Sequence, residues 1–86
     1  MKNDFKVSGK SDPRKVASAI IYALDALDES QAVTLNAIGA AAVNQAVKAT
    51  AIAGKRREIV CLPKFVDSEI NGRACTILQI EIKRAA

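Results

Sequence analysis

Asn71-Gly72 stands between two segments that alternate apolar and polar residues, and no other feature of the chain constrains its fold as tightly. A two-residue type I′ turn needs positive φ at both central positions, which asparagine and glycine tolerate at least cost, so the pair predicts a tight β-hairpin. Counting outward from the turn places Ile70 opposite Arg73, Phe65 opposite Leu78 and Cys61 opposite Ile82. In the returning strand Thr76, Leu78, Ile80 and Ile82 share one face, while Cys75, Ile77, Gln79 and Glu81 share the other. The first face is strongly apolar and needs a second layer to cover it. The nearly continuous apolar run Ile59-Val60-Cys61-Leu62 predicts a stretch buried on both faces.

Two helical patterns upstream supply that layer. Phe5-Lys6-Val7-Ser8 alternates as a short half-buried strand, and Gly9-Lys10-Ser11-Asp12-Pro13 reads as a loop feeding a helix, with Asp12 as N-cap and Pro13 at the first helical position. Val16, Ile20, Ala23, Leu24 and Leu27 recur at spacings of three and four, which gives this first helix one apolar stripe. The polar stretch Asp28-Glu29-Ser30-Gln31 ends it. Val33 to Ala37 alternates again as a second strand, and a helix between two strands implies that they lie parallel. Gly39 breaks the strand. From Ala40 to Ala53 the chain is dense in alanine, the best helix former, and Gly54 sits where a C-cap glycine is expected. Alanines 40, 42, 46, 49 and 53 let another backbone approach closely, either the sheet beneath or a partner helix. The predicted order is βαβαββ: an α+β two-layer sandwich with two helices on a mixed four-stranded sheet.

With 86 residues the chain is a single domain spanning residues 1–86. A chain this short buries only roughly 60–65% of its unfolded surface, so pairing with a second copy would add needed stability. There is no histidine and no tryptophan, which excludes Ser-His-Asp or Cys-His catalysis and imidazole metal sites. No carboxylate pair has a spacing suited to general acid-base work, and Cys61 and Cys75 lack the CxxC spacing of a zinc or redox site. Both cysteines are expected reduced, separate and structural. No enzyme activity, metal or cofactor is expected. No apolar run approaches the ~20 residues of a membrane span, and Met1-Lys2-Asn3-Asp4 is not followed by a signal-peptide core, so the expected location is the cytoplasm.

The balance of thirteen Lys and Arg against nine Asp and Glu, net +4, permits binding to a phosphate backbone without requiring it. In one reading, Lys10, Ser11, Arg14 and Lys15 hold backbone phosphates at the N-terminus of the first helix. In the other, they are an ordinary capped turn with solvated cations, and Asp12 opposes anions there. Lys55, Arg56 and Arg57 are either a solvated run that complements a helix C-terminus or a phosphate-contacting rim. Asn44, Gln45 and Lys48 fit a dimer seam on the alanine-rich helix, or else an exposed binding surface. With three aromatic residues in the chain, any nucleic-acid contact would be mostly electrostatic.

The blocks Lys6-Val7-Ser8-Gly9-Lys10-Ser11-Asp12-Pro13, Ala37-Ile38-Gly39-Ala40, Asn44 to Ala49 and Cys61-Leu62-Pro63-Lys64-Phe65 resemble the stage V sporulation protein S family. The likeness runs in the family's order from about Lys6 to Lys83. It implies a bacterial, cytoplasmic protein tied to spore formation, with a fold similar to the Alba proteins, which are dimeric binders of DNA and RNA. From Alba proteins it also implies that Lys10 is a counterpart of the lysine in the loop before the first helix and that Arg73, at the hairpin tip, supplies another phosphate contact as the extended arms do in Alba proteins. Alba proteins carry arginines around the glycine that opens the second helix, where this chain has Ile38-Gly39-Ala40. The expected function is that of a dimeric regulatory or architectural protein binding nucleic acid, DNA or RNA, with little sequence preference. The alternative is a dimerisation and protein-interaction module in sporulation control that touches no nucleic acid.

Overall fold

The computed structural model describes residues 3–28 and 30–85. Its elements are β1 (Asp4–Val7), α1 (Pro13–Ala26), β2 (Val33–Ala37), α2 (Ala40–Gly54), β3 (Ile59–Ile70) and β4 (Arg73–Arg84), the βαβαββ order expected. The sheet runs β1-β2-β4-β3. β1 is parallel to β2, and β2–β4 and β4–β3 are antiparallel, so the sheet is mixed.

Helix α1 begins as the sequence predicts. Asp12 Oδ1 accepts the Arg14 amide at 2.9 Å, and Pro13 fills the first position, where no amide is needed. Its buried side chains are Ala17, Ile20, Ile21, Ala23 and Leu24, with Val16 and Leu27 half-buried beside them. The helix stops at Ala26, and the Arg84 guanidinium from the last strand donates to the carbonyls of Leu24 and Leu27, satisfying orphan acceptors at the helix end. Asp28 then folds a polar turn, its carboxylate accepting the Ser30 amide at 3.0 Å and the Ser30 hydroxyl at 2.6 Å. Glu29, part of the expected stop signal, lies outside the described residues.

Helix α2 buries Ala42, Ala46, Ala49 and Ala53, a stripe of methyl groups that brings its backbone close to the rest of the core. Gly54 does not act as a left-handed cap. It is the last helical residue, and Lys55 follows at φ −74°, ψ −21°. The chain leaves through turn bonds, the Arg56 and Arg57 amides both donating to the Ala53 carbonyl at 3.0 Å, so no positive φ is needed there.

Between the layers lie Val7, Val33, Leu35, Ala37, Ile80 and Ile82, all 4% exposed or less. The hairpin has the expected register, with Ile70 opposite Arg73, Phe65 opposite Leu78 and Cys61 opposite Ile82. Asn71 at φ 53° and Gly72 at φ 77° make the turn. Ile59 to Leu62 departs from expectation. β3 is an edge strand of a sheet covered on one face, so Ile59 and Cys61 are half-buried while Val60 and Leu62 are 46% and 51% exposed. The unbroken apolar run predicts burial on two faces, but only one face has a layer to bury it.

The uncovered face carries a polar ladder across three strands. Asn36 Nδ2 donates to Asp4 Oδ1 at 2.6 Å and to the Phe5 carbonyl at 3.4 Å, and Gln79 Nε2 donates to Asn36 Oδ1 at 2.9 Å. β2 pairs with β4 only from Leu78 to Ile82. Beyond that point residues 66–70 and 73–77 run on as a two-stranded arm, which stretches the molecule to 38 Å along its longest axis.

Candidate functional site

The strand directions sort the candidate cations into two groups. β1 and β2 are parallel, so the loop after each, with the start of the helix that follows, lies at one end of the sheet. β4 runs against β2, so the hairpin tip lies at that same end. Lys10, Ser11, Arg14, Lys15 and Arg73 therefore share one end of the molecule. Lys55, Arg56 and Arg57 follow the C-terminus of α2 and lie at the other.

At the first end, the loop after β1 is held by its own serines. The Ser8 amide donates to Ser11 Oγ at 2.9 Å, the Lys10 amide to Ser8 Oγ at 3.2 Å and the Ser11 amide to the Ser8 carbonyl at 3.1 Å. Ser11 is half-buried, and its hydroxyl is used inside the turn. Lys10, Arg14 and Lys15 are exposed, and none of them has an ion pair among the described residues.

This loop is also fixed to α2, which the sequence did not predict. A Cβ on Gly9 would come within 2.8 Å of Ala41 Cβ, so only glycine lets the loop lie so close to the start of that helix. Gln45 Nε2 donates to the Gly9 carbonyl at 3.3 Å, and its Oε1 is buried without a partner among the described residues. Gln45 is thus turned toward the loop, whereas Asn44 and Lys48 are exposed on the outer side of α2. Gly39, at φ 88°, is the N-cap of α2 and supplies no capping side chain, and the first turn has no acidic residue. The positive end of the α2 dipole and its free amides therefore stand beside the loop that carries Lys10, an arrangement that attracts anions. The signal was present in Ile38-Gly39-Ala40-Ala41-Ala42, which offers no Ser, Thr, Asp or Asn to cap the helix.

At the opposite end, Arg57 is engaged. Its Nε donates to Asp25 Oδ1 at 3.1 Å and a terminal nitrogen to Asp25 Oδ2 at 2.8 Å, a two-pronged pair between α1 and the α2–β3 connection. Its other terminal nitrogen donates to the Arg56 carbonyl at 2.8 Å. Hydrogen bonding to Arg57 holds the Asp25 carboxyl below its ordinary range, helped by the charges of Arg57, Arg84 and Arg56. Lys55 and Arg56 stay exposed without ion pairs among the described residues.

Cys61 and Cys75 are both free and half-buried, and they pair with Ile82 and Ser68 respectively, so they are well separated. Burial pushes the Cys61 thiol up, partly opposed by a hydrogen bond with Thr50, which makes it a poor nucleophile. Among the described residues no group of three His, Cys, Asp or Glu could hold a metal ion, and no helix is long and apolar enough to cross a membrane. On the helix-bearing side three large side chains stand exposed: Phe65 on β3 at 77%, Tyr22 on α1 at 72% and Val47 on α2 at 51%. Thr50 of α2 hydrogen-bonds Cys61 of β3, so the elements that carry Val47 and Phe65 are neighbours.

These features define a class: a small two-layer α+β domain with exposed cations at the end of the sheet where an uncapped helix begins, and with exposed apolar side chains on its helix-bearing side. Its family follows from the sequence as a whole. Residues 3–85 match the family model of stage V sporulation protein S (SpoVS), and with nearly the whole chain covered it belongs to that family. It is thereby a sporulation-associated protein, and the family is not a known enzyme family.

Proposed function

We propose that this protein is a dimeric regulatory or architectural factor that binds nucleic acid with little sequence preference. The end carrying Lys10, Arg14, Lys15 and Arg73 is its main contact surface. The observation that carries this reading is a set of exposed cations without ion pairs among the described residues, Lys10 on the loop fastened against the uncapped start of α2 and Arg14 and Lys15 in the first turn of α1 that follows it. Exposed cations and helix amides address phosphates and read no base edges, so affinity should be nearly independent of sequence. Lys55 and Arg56 act as a secondary rim at the far end, and Arg57 chiefly holds Asp25.

Titration of labelled duplex DNA and RNA at several salt concentrations tests it. If each chain of a dimer lends three or four cations, about 6–8 counterions leave, and log K against log salt should fall with a slope of roughly −5 to −7 on duplex DNA. Replacing Lys10, Arg14 and Lys15 by alanine should flatten that slope more than replacing Lys55 and Arg56. No binding to DNA or RNA even at low salt would overturn the reading. A second reading, a protein-interaction module without nucleic acid, draws support from exposed Phe65 and Val47 and would then take its place.

A further inference from the structure

Where the hairpin arm leaves β2, the uncovered face of the sheet holds a cleft of about 390 Å³, within the range of about 300–1,000 Å³ that small-molecule sites occupy. Lys6 and Gly9 border it from β1 and the loop beyond, Asn36 and Ile38 from the end of β2, and Ile70 and Ile77 from the arm. The three isoleucines form an aliphatic slot. The Asn36 amide is already engaged with Asp4, Phe5 and Gln79. Lys6, the charged residue of the lining, has no ion pair among the described residues, and the Gly9 amide has no partner there either.

The slot thus suits a compact apolar body with an anion at one edge. The cations continue on both sides of it, Lys10 next to Gly9 and Arg73 beyond Ile70 at the hairpin tip. An occupant with a flat ring whose faces are apolar, flanked by negative charges, matches that order, and a nucleotide within a strand has this pattern. We propose that the cleft takes one unpaired nucleotide, its base between Ile38 and the arm isoleucines and its phosphate against Lys6 and the Gly9 amide. The proposal rests on the nucleic-acid reading of this end and adds a preference for single strands. A base inside a duplex must first be unstacked and unpaired to enter, whereas one in a single strand need not be. The aliphatic slot also supplies the base contact that the few aromatic residues cannot.

The test uses the full chain with labelled isoleucine methyl groups, observed by NMR against three probes: a short adenine-rich single strand, the same strand paired with its complement, and adenosine monophosphate. The Ile38, Ile70 and Ile77 methyls should shift with the single strand, which should bind about five- to tenfold more tightly than the duplex, a gap of up to about 1.4 kcal/mol. Ile38→Glu and Ile70→Glu should each remove that preference while leaving duplex binding in place. Both side chains are more than 40% exposed and outside the core, so the variants should fold, and the exposed Lys6→Ala gives an independent check. Strand binding with no movement of these methyls would overturn the cleft and leave the nucleic-acid reading standing. Methyl shifts with the mononucleotide but no strand binding would support the cleft and overturn the nucleic-acid reading. Failure of all three probes would overturn both.

Discussion

At the scale of single residues, the contact between Gly9 and Ala41 joins the basic loop to α2. Gly9→Ala places a methyl group 2.8 Å from Ala41 Cβ, and overpacking of this kind costs about 1–3 kcal/mol. Thermal or denaturant unfolding should show that loss, and the double change with Ala41→Gly should recover part of it. The Asp25–Arg57 pair makes a prediction about acid. Because hydrogen bonding to Arg57 holds the folded carboxyl below its ordinary value of 3.8, its contribution is complete above that pH and is lost as pH falls further, through the folded value. In Arg57→Ala the Asp25 titration followed by NMR should move up toward the ordinary value, and the acid dependence of stability below that pH should weaken. The roles of Asp12 and Pro13 were legible because capping is local. That of Gln45 was not, because its amide is spent on a loop 36 residues away, and that of Ser11 was ambiguous, because a hydroxyl used within the four-residue turn from Ser8 reads equally well as a phosphate ligand.

At the scale of elements, β3 is a twelve-residue edge strand, a length that invites pairing with other chains. The two-residue turn makes Ile70 and Arg73 a hydrogen-bonded pair, and alternation along the ladder then makes Pro63 and Ile80 a non-hydrogen-bonded one. The Glu58–Ala85 bond at 3.0 Å fits the same alternation at the far end. Pro63 therefore directs its nitrogen to the free edge, where a donor is missing, and Lys64 adds a charge beside it. Pro63→Val restores the donor, and the variant should self-associate more strongly than wild type in sedimentation at rising concentration. No change in association would count against a protective role for the proline. Strand positions and hairpin register were readable from alternation and from Asn71-Gly72. Strand order was not, and with it went the exposure of Val60 and Leu62, because a pattern along one strand does not state whether a second layer covers its outer face.

For the whole molecule, the exposed apolar surface at Phe65 and Val47 belongs with the proposed dimer, alongside Asn44 and Lys48. Sedimentation should find twice the 9.1 kDa chain mass at micromolar concentration. Phe65→Glu combined with Val47→Glu should give a folded monomer, since both side chains are largely outside the core. That monomer should bind duplex DNA with roughly half the salt slope, because half the phosphate contacts go with the second chain. The sequence revealed both basic clusters and left their separation hidden. The direction of β4 against β2 sends Arg73 to the end that holds Lys10, while the C-terminus of α2 leaves Lys55 at the other.

The arm beyond Leu78 has a consequence in time as well as in shape. Its residues hold one another through the hairpin ladder, with no β2 residue beside them and none among the side chains of the buried core. Such a segment opens locally at a much lower free energy than the whole domain unfolds. Amide protons of residues 66–70 and 73–77 should therefore exchange with solvent deuterium well before those of Val33 to Ala37, and at a rate indifferent to mutations that destabilise the core. A ligand seated between the arm and the end of β2 would slow that exchange, so occupancy of the cleft can be followed by isotope uptake in the arm alone.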